Sequence, residues 1–234
     1  MAGRPCQLEK IKMTSPNTNT FAPVTDMGDN APDVPALPHG THVAVIGAGA
    51  FGGWAAYFLN KRGYRVTLVD AWGPGNSRSS SGDETRVIRS TYGNNALYFD
   101  MNVRALALWK EYQVVFGKNL FTKTGVLWFC YQAHTPLVDD SIAYAEKHAM
   151  SYEYLTTADL KKRYPLVNTD GLHHAYLDPF GGYLAARDAC AAVAEKFMTQ
   201  GGVYVQALAK PGKMLSHGLD SLALSNGNTL RADL

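Results

Sequence analysis

The sequence predicts a mixed α/β fold, α+β overall. A parallel βαβ unit comes first, and an antiparallel sheet of short strands follows. Three observations predict it. His42 to Asp70 reads as strand, helix and strand within 29 residues, the size of one βαβ crossover. A glycine-rich turn, Gly47 to Gly53, separates the first strand from the helix. Beyond residue 119, short β-rich runs are separated by Gly, Asp-Pro and Asn-Gly turn signals, as in hairpins.

The 234 residues suffice for one large domain or two small ones. With 46% hydrophobic and 18% charged residues, the chain can bury a core. A net charge of +2 gives no reason to expect nucleic acid or an anionic membrane as partner. Cys6, Cys130 and Cys190 form neither a disulfide framework nor a zinc pattern. A reducing compartment follows: the expectation is a cytoplasmic monomer, or a peroxisomal one if a targeting tail lies beyond Leu234. Residues 1–40 hold six of the eleven prolines and no apolar run. They resemble neither a secretory signal nor a transit peptide and read as a disordered extension. His42 to Leu59 has no Asp, Glu, Lys or Arg over 18 residues, the lower limit for a membrane span. Its glycines and the strand that follows argue against a span.

The elements follow in order. His42 to Ile46 is a buried strand, Trp54 to Arg62 a helix stopped by Gly63, and Arg65 to Asp70 a second strand. Ala71 to Asp83 is a polar loop rich in Gly and Ser. Ala96 to Phe116 is a helix ended by Gly117, with an apolar face of Met101, Ala105, Leu108, Tyr112 and Val115. Leu120 to Tyr131 is a strand pair or one strand bent at Gly125. Leu137 to Met150 is a helix, Tyr152 to Leu155 a strand, and Thr156 a cap for the helix after it. Leu172 to Leu177 and Gly182 to Leu184 flank a turn at 178–181. Arg187 to Gln200 is a helix and Val203 to Ala209 a strand. Leu219 to Leu224 and Thr229 to Leu234 form a hairpin about Asn226-Gly227. Because that strand still runs at Leu234, the chain is expected to be truncated.

Gly47-Ala48-Gly49-Ala50-Phe51-Gly52 is a G-x-G-x-x-G motif directly after a strand and opening a helix, the context that makes it a dinucleotide signature. Gly47 permits the tight turn, Gly49 lets the backbone approach a pyrophosphate, and Gly52 lets helix and strand pack closely. The pyrophosphate then meets free N–H groups and the positive end of the helix dipole. Asp70 closes the second strand 23 residues after Gly47, where a carboxylate accepts hydrogen bonds from ribose hydroxyls and repels a 2′-phosphate. The unit is therefore Rossmann-like and selects against NADP. No further βα repeat follows Asp70. That favours FAD, in an enzyme whose chain leaves the nucleotide domain early to build a separate substrate domain.

Ser79 to Gly93 (SSSGDETRVIRSTYG) adds a second pattern. With the βαβ unit, with FTKTGVLWF (Phe121 to Phe129) and with Gly181-Gly182-Tyr183 before a helix, it resembles the glycine/D-amino-acid oxidase superfamily of flavoproteins. Within that superfamily it resembles the monomeric sarcosine oxidase and N-methyltryptophan oxidase group. The resemblance runs from about Thr41 to Leu234. It implies an FAD domain (41–118, first part), an antiparallel-sheet substrate domain (119–184, part) and a return to the FAD domain (185–234, incomplete). It implies oxidation of the C–N bond of an amino acid or N-methyl amino acid to an imine, with dioxygen reoxidising the flavin to give hydrogen peroxide. Arg86 would lie close to the flavin ring, and Arg89 would pair with the substrate carboxylate, a task suited to a bidentate, always-charged guanidinium. Ser77, Ser80, Ser81 and Thr85 could hydrogen-bond FAD, although a solvated loop explains them equally well, and Ala48, Ala50 and Phe51 belong to the cofactor-binding turn. Ser79 to Ser81 stand where sarcosine oxidases carry a histidine pair, a departure that argues against sarcosine itself as substrate. The group's flavin-linking cysteine, its lysine that assists oxygen and its second carboxylate-binding group would lie beyond Leu234.

Cys130 and Cys190 read as core thiols. His173 and His174, adjacent in a strand, should point to opposite faces and so share no ion. Tyr92, Tyr98, Trp109 and Trp128 suit either a substrate pocket or the core, and core packing is the plainer reading for the two tryptophans. Besides the oxidase, the sequence leaves open a dehydrogenase of the same superfamily with another electron acceptor, and an inactive nucleotide-binding fragment.

Overall fold

The computed structural model of the protein describes residues 37–216 and 218–234. Most of the expected N-terminal extension, with Cys6, lies outside the described residues. Residues 37–40, placed within it, make a turn in which the Thr41 N–H and hydroxyl both donate to the Pro38 carbonyl.

The first half of the described chain gives β1 (His42–Ile46), α1 (Ala50–Lys61), β2 (Arg65–Asp70), β3 (Thr85–Ile88), α2 (Ala96–Phe116), β4 (Phe121–Lys123) and β5 (Val126–Cys130). Then come α3 (Pro136–Lys147), β6 (Glu153–Thr156), α4 (Thr157–Arg163), β7 (His174–Asp178), β8 (Gly182–Ala185) and α5 (Ala186–Thr199). The last part holds β9 (Val203–Gln206), β10 (Ala209–Pro211), β11 (Met214–Leu215), β12 (Gly218–Leu219), β13 (Leu222–Leu224) and β14 (Thr229–Leu230).

A parallel sheet in the order β1-β2-β9 carries the expected βαβ unit, with Val45 opposite Leu68 and Leu68 opposite Tyr204. Two antiparallel sheets follow, β3-β8-β4 and β5-β7-β6, and a third, β10-β13-β14, lies near the C-terminus. Gly125, at φ +74°, divides the run read as one bent strand or a pair. β4 joins one sheet and β5 another, so the two are neighbours in sequence without pairing to each other.

α1 opens at Ala50, four residues before the expected start. Its early glycines stay helical because the helix lies against the preceding turn: a Cβ on Gly52 would sit 1.8 Å from the Gly47 carbonyl oxygen. α2 has the expected bounds. The Asn95 side chain caps it by accepting the Tyr98 N–H, and Gly117 ends it at φ +64°. Its expected apolar face holds at Tyr112, which is buried, and at Ala105 and Leu108, which pack against the core, and is corrected elsewhere: Met101 and Val115 are exposed, while Phe99, Asn102 and Leu106 are buried. The cause is tertiary. One stretch of α2 packs on β3 and β4 through Leu106, and the next packs on α1 through Tyr112. Thr156 caps α4 as expected, and Asp159 completes a reciprocal capping box.

The strand expected over Val203 to Ala209 breaks at Ala207, and its last part re-forms as β10 in another sheet. The Asn226-Gly227 hairpin is present, but β14 stops at Leu230 instead of running to Leu234. Leu234 donates to the His42 carbonyl and accepts from the Ala44 N–H, a parallel pattern along the free edge of β1. The hairpin of β11 and β12 was not expected: strands of two residues carry no readable period.

The largest core joins α1, α2 and α5 over the parallel sheet. The Trp54 ring lies 4.9 Å from that of Tyr112, 5.4 Å from Trp109 and 5.5 Å from Phe58. Phe197 of α5 is fully buried in the same cluster, and its ring fills the space a side chain on Gly202 would need. Phe197→Ala should cost about 3–5 kcal/mol through the cavity it leaves, read as a lower chemical-denaturation midpoint. An unchanged midpoint would mean that α5 does not anchor this core.

Candidate functional site

The glycine motif forms the tight link between β1 and α1. Gly47, at φ +101°, adopts the left-handed conformation that glycine tolerates, and its N–H donates to the Val69 carbonyl at 2.7 Å. α1 has Gly49 as its N-cap, with no side-chain cap and no acid in the first turn. Its first N–H groups are thus left to an outside acceptor. A Cβ on Gly49 would meet nothing within 4 Å, so the backbone there borders open space. An uncapped helix start beside open space is what a phosphate requires.

Asp70 does more than the sequence reading assigned to it. Its Oδ2 accepts the Ala48 N–H, and its Oδ1 accepts the N–H groups of Trp72 and Gly73, each at 2.8 Å. A carboxylate offers about four acceptor sites, so one remains for a ribose hydroxyl. The Tyr204 hydroxyl beside it is buried without a hydrogen-bond partner. Burial first, and the Asp70 charge second, push the Tyr204 phenol up from its ordinary pKa. Next along the chain, the Arg78 guanidinium lies 4.7 Å from the ring of half-exposed Trp72. Reading the sequence singled out neither Trp72 nor Tyr204. An aromatic two residues past the β2 acid was the available signal for Trp72.

A cavity of about 450 Å³ opens at this turn. Gly49, Ala50, Phe51, Ser81 and Arg86 line one part of it, while Trp54, Leu108, Ala189 and Cys190 line its apolar depth. Five of the sequence-predicted residues therefore share one space. Phe51 is 94% exposed at the cavity edge. Arg86 forms an ion pair with Asp83 at 2.7 Å and also donates to the Ser80 carbonyl. Ser80 and Thr85 are exposed, and neither lines the cavity. Cys130 and Cys190 are buried free thiols, as expected. Burial pushes the Cys190 thiol up, and Ser81 beside it works in the opposite direction.

Arg89 does not line this cavity. Its guanidinium lies 4.6 Å from the Tyr92 ring and 4.9 Å from the Trp128 ring, and it donates to the Thr91 carbonyl. Among the described residues no carboxylate pairs with it. Trp128 is thus more than the core residue the sequence suggested. Its partner β7 brings Asp178, nearly fully buried, whose carboxylate accepts the Ser90 N–H at 2.7 Å and the Phe180 N–H at 3.0 Å. The expected divergence of His173 and His174 is corrected: their Nδ1 atoms lie 3.0 Å apart. His173 precedes β7, so strand alternation does not apply to it. Burial, then His173, pushes the His174 imidazole down, and Asp139 opposes this. Among the described residues no group of three or more His, Cys, Asp or Glu could hold a metal, and no helix is long and apolar enough to cross a membrane.

The family model described as FAD dependent oxidoreductase (DAO) matches residues 42–208. The chain belongs to this family. Monomeric sarcosine oxidase from Arthrobacter sp. (strain TE1826) is 33% identical over 153 residues, 65% of this chain and 39% of that protein. N-methyl-L-tryptophan oxidase from Yersinia pestis (strain Pestoides F) is 29% identical over 140 residues, 60% and 38% respectively. The chain spans about two fifths of the length of these curated relatives. Among solved structures, L-proline dehydrogenase from P. horikoshii aligns at TM-score 0.69 and 23% identity, over 83% of this chain and 51% of that one. Glycine oxidase from Bacillus cereus aligns at TM-score 0.65 and 18% identity, over 82% and 53%. Those two likenesses establish the fold.

The cofactor of this DAO-family chain is FAD, and the residues present fit it. The open, uncapped start of α1 suits the pyrophosphate, while the last acceptor site of Asp70 and the unpaired Tyr204 hydroxyl suit the ribose. The two glycines of the turn should separate under mutation. Gly52→Ala forces a Cβ onto the Gly47 carbonyl and should lower the melting temperature with or without FAD. Gly49→Ala meets nothing in the protein and should leave melting of the FAD-free chain unchanged while reducing flavin retained through gel filtration. Undiminished flavin retention in Gly49→Ala would remove the pyrophosphate from this turn.

Proposed function

We propose that this chain carries the FAD-holding and carboxylate-reading parts of an enzyme that oxidises the C–N bond of an amino acid or N-methyl amino acid to an imine. The observation that carries this reading is the contrast between the two arginines. Arg86 has its carboxylate in Asp83, whereas Arg89 is part-buried beside two aromatic rings and has none among the described residues. A guanidinium held in place without an internal counter-ion suits an anionic group of a ligand, and the carboxylate of an amino acid matches its forked donors.

FAD, when bound, supplies the two-electron acceptor and then passes the electrons to dioxygen, giving hydrogen peroxide. The chain does the holding and orienting. The Gly49 turn would hold the pyrophosphate at the start of α1. Arg86, held by Asp83 and the Ser80 carbonyl, brings positive charge to the cavity lining, and beside the flavin ring that charge would favour the reduced, anionic form. Arg89 fixes the substrate by its carboxylate, so that the bond beside the nitrogen is presented in one orientation. The histidine pair of sarcosine oxidases is replaced here by Ser79 to Ser81, and the reading favours N-methyl amino acids other than sarcosine. In this reading the nucleotide segments (41–118 and 185–234) contribute β1, β2 and β9, and the substrate segment (119–184) contributes the β5-β7-β6 sheet, whose Trp128 lies beside Arg89.

The test is a panel of N-methyl amino acids mixed anaerobically with the FAD-loaded protein. Bleaching of the flavin band is followed, and peroxide is measured after air is admitted. Arg89→Gln should raise the half-saturating concentration of carboxylate substrates at least tenfold, since losing one partner of such a pair costs on the order of 2–5 kcal/mol. An amine without a carboxylate should be affected much less. An equal effect on both kinds of ligand would take the carboxylate away from Arg89.

A further inference from the structure

Trp128 lies at intermediate depth, yet its indole nitrogen is buried and has no hydrogen-bond partner among the described residues. An indole N–H can only donate, and leaving one buried without an acceptor is costly. Its ring is packed against the Arg89 guanidinium at 4.9 Å. Two unspent donors thus occur on neighbouring groups: a cation without a carboxylate and an N–H without an acceptor. The Tyr92 ring also lies 4.6 Å from the Arg89 guanidinium. Asp178 lies on β7, the strand paired with β5, where its register partner is Val126, and its oxygens are given to backbone N–H groups.

We propose that Trp128 is a specificity-determining residue, its indole N–H donating a second hydrogen bond to the same anionic group that Arg89 binds. The inference rests on the reading of Arg89 as a carboxylate anchor and adds a donor to it. A point charge alone accepts any anion. A guanidinium and an N–H fixed on an aromatic plane together demand an anion with two oxygens set apart, as in a carboxylate. The ring faces of Tyr92 and Trp128 also shield the pair from water, which strengthens both bonds.

The four tryptophans make the test direct, because each indole N–H gives its own signal in a nitrogen-15 proton spectrum. The Trp128 signal is assigned by its loss in Trp128→Phe. If that variant does not fold, it is assigned by elimination from Trp54→Phe, Trp72→Phe and Trp109→Phe. The probes are propionate, which has a carboxylate and no oxidisable amine, and N-methylethylamine, which has the amine alone, each titrated into the full chain with FAD present. With propionate, the Trp128 indole proton and the Arg89 Nε proton should move downfield together and saturate together. N-methylethylamine should move neither. Trp128→Phe keeps the ring over Arg89 and should weaken propionate about tenfold, the scale of one hydrogen bond to a charged group. If the Arg89 signal moves while Trp128 stays still and Trp128→Phe binds equally well, the inference is overturned and the Arg89 reading stands. If neither signal moves, both are overturned.

Discussion

The carboxylate of Asp70 ties together the parts on which the site depends. It closes β2, yet its hydrogen bonds go to two separate turns: the Ala48 N–H in the glycine turn and the N–H groups of Trp72 and Gly73 at the start of the long loop. One side chain thereby fixes where β1 hands over to α1 and where the chain leaves the parallel sheet. A carboxylate accepting three backbone N–H groups is a charge-assisted clamp, stronger than neutral bonds of the same length. The loop it launches carries Ser79 to Ser81 and delivers the chain to β3, which bears Arg86. The position of Arg86 in the cavity therefore depends on the geometry at Asp70.

The same turn shows why three glycines are needed and why their reasons differ. Gly47 is chosen by its φ of +101°, and Gly52 by the 1.8 Å that would separate a Cβ from the Gly47 oxygen. Gly49 is chosen by neither, since its backbone is extended and its surroundings within the protein are empty. Two of the glycines answer to the fold, and nothing within the protein requires the third.

Much of this was legible in the sequence because its causes are local. The βαβ unit follows from a β-branched run, a glycine turn and a second such run within 29 residues. The ends of α2 follow from Asn95 and Gly117, and the cap of α4 from Thr156. The buried face of α2 was legible only in part: Ala105, Leu108 and Tyr112 were read correctly. The sequence offered Met101 and Val115 on one apolar stripe, but which stripe is buried depends on partners far away in the chain, and these chose Phe99 and Leu106 instead. The family's residue pattern carried the reading of Arg86 and Arg89. The enclosure of Arg89 lay beyond it, because it needs Gly125 to turn the chain so that β5 enters a different sheet from β4 and carries Trp128 to the arginine.

That enclosure has an energetic consequence. A part-buried guanidinium loses hydration, and the usual remedy is a carboxylate. The fold has a buried carboxylate in reach of the adjacent residue: Asp178 holds the Ser90 N–H, one position along from Arg89. It gives its oxygens to Ser90, Phe180 and Gly181, and so shapes the backbone that carries Arg89 without neutralising its charge. The two aromatic faces return roughly 0.5–2 kcal/mol each, against the several kcal/mol that removing an ion from water costs. The balance is a cation that the protein holds in place but does not satisfy. On the proposed reading, a ligand carboxylate paired with Arg89 would offset part of that difference, less its own desolvation, and an amine without one would offset none of it.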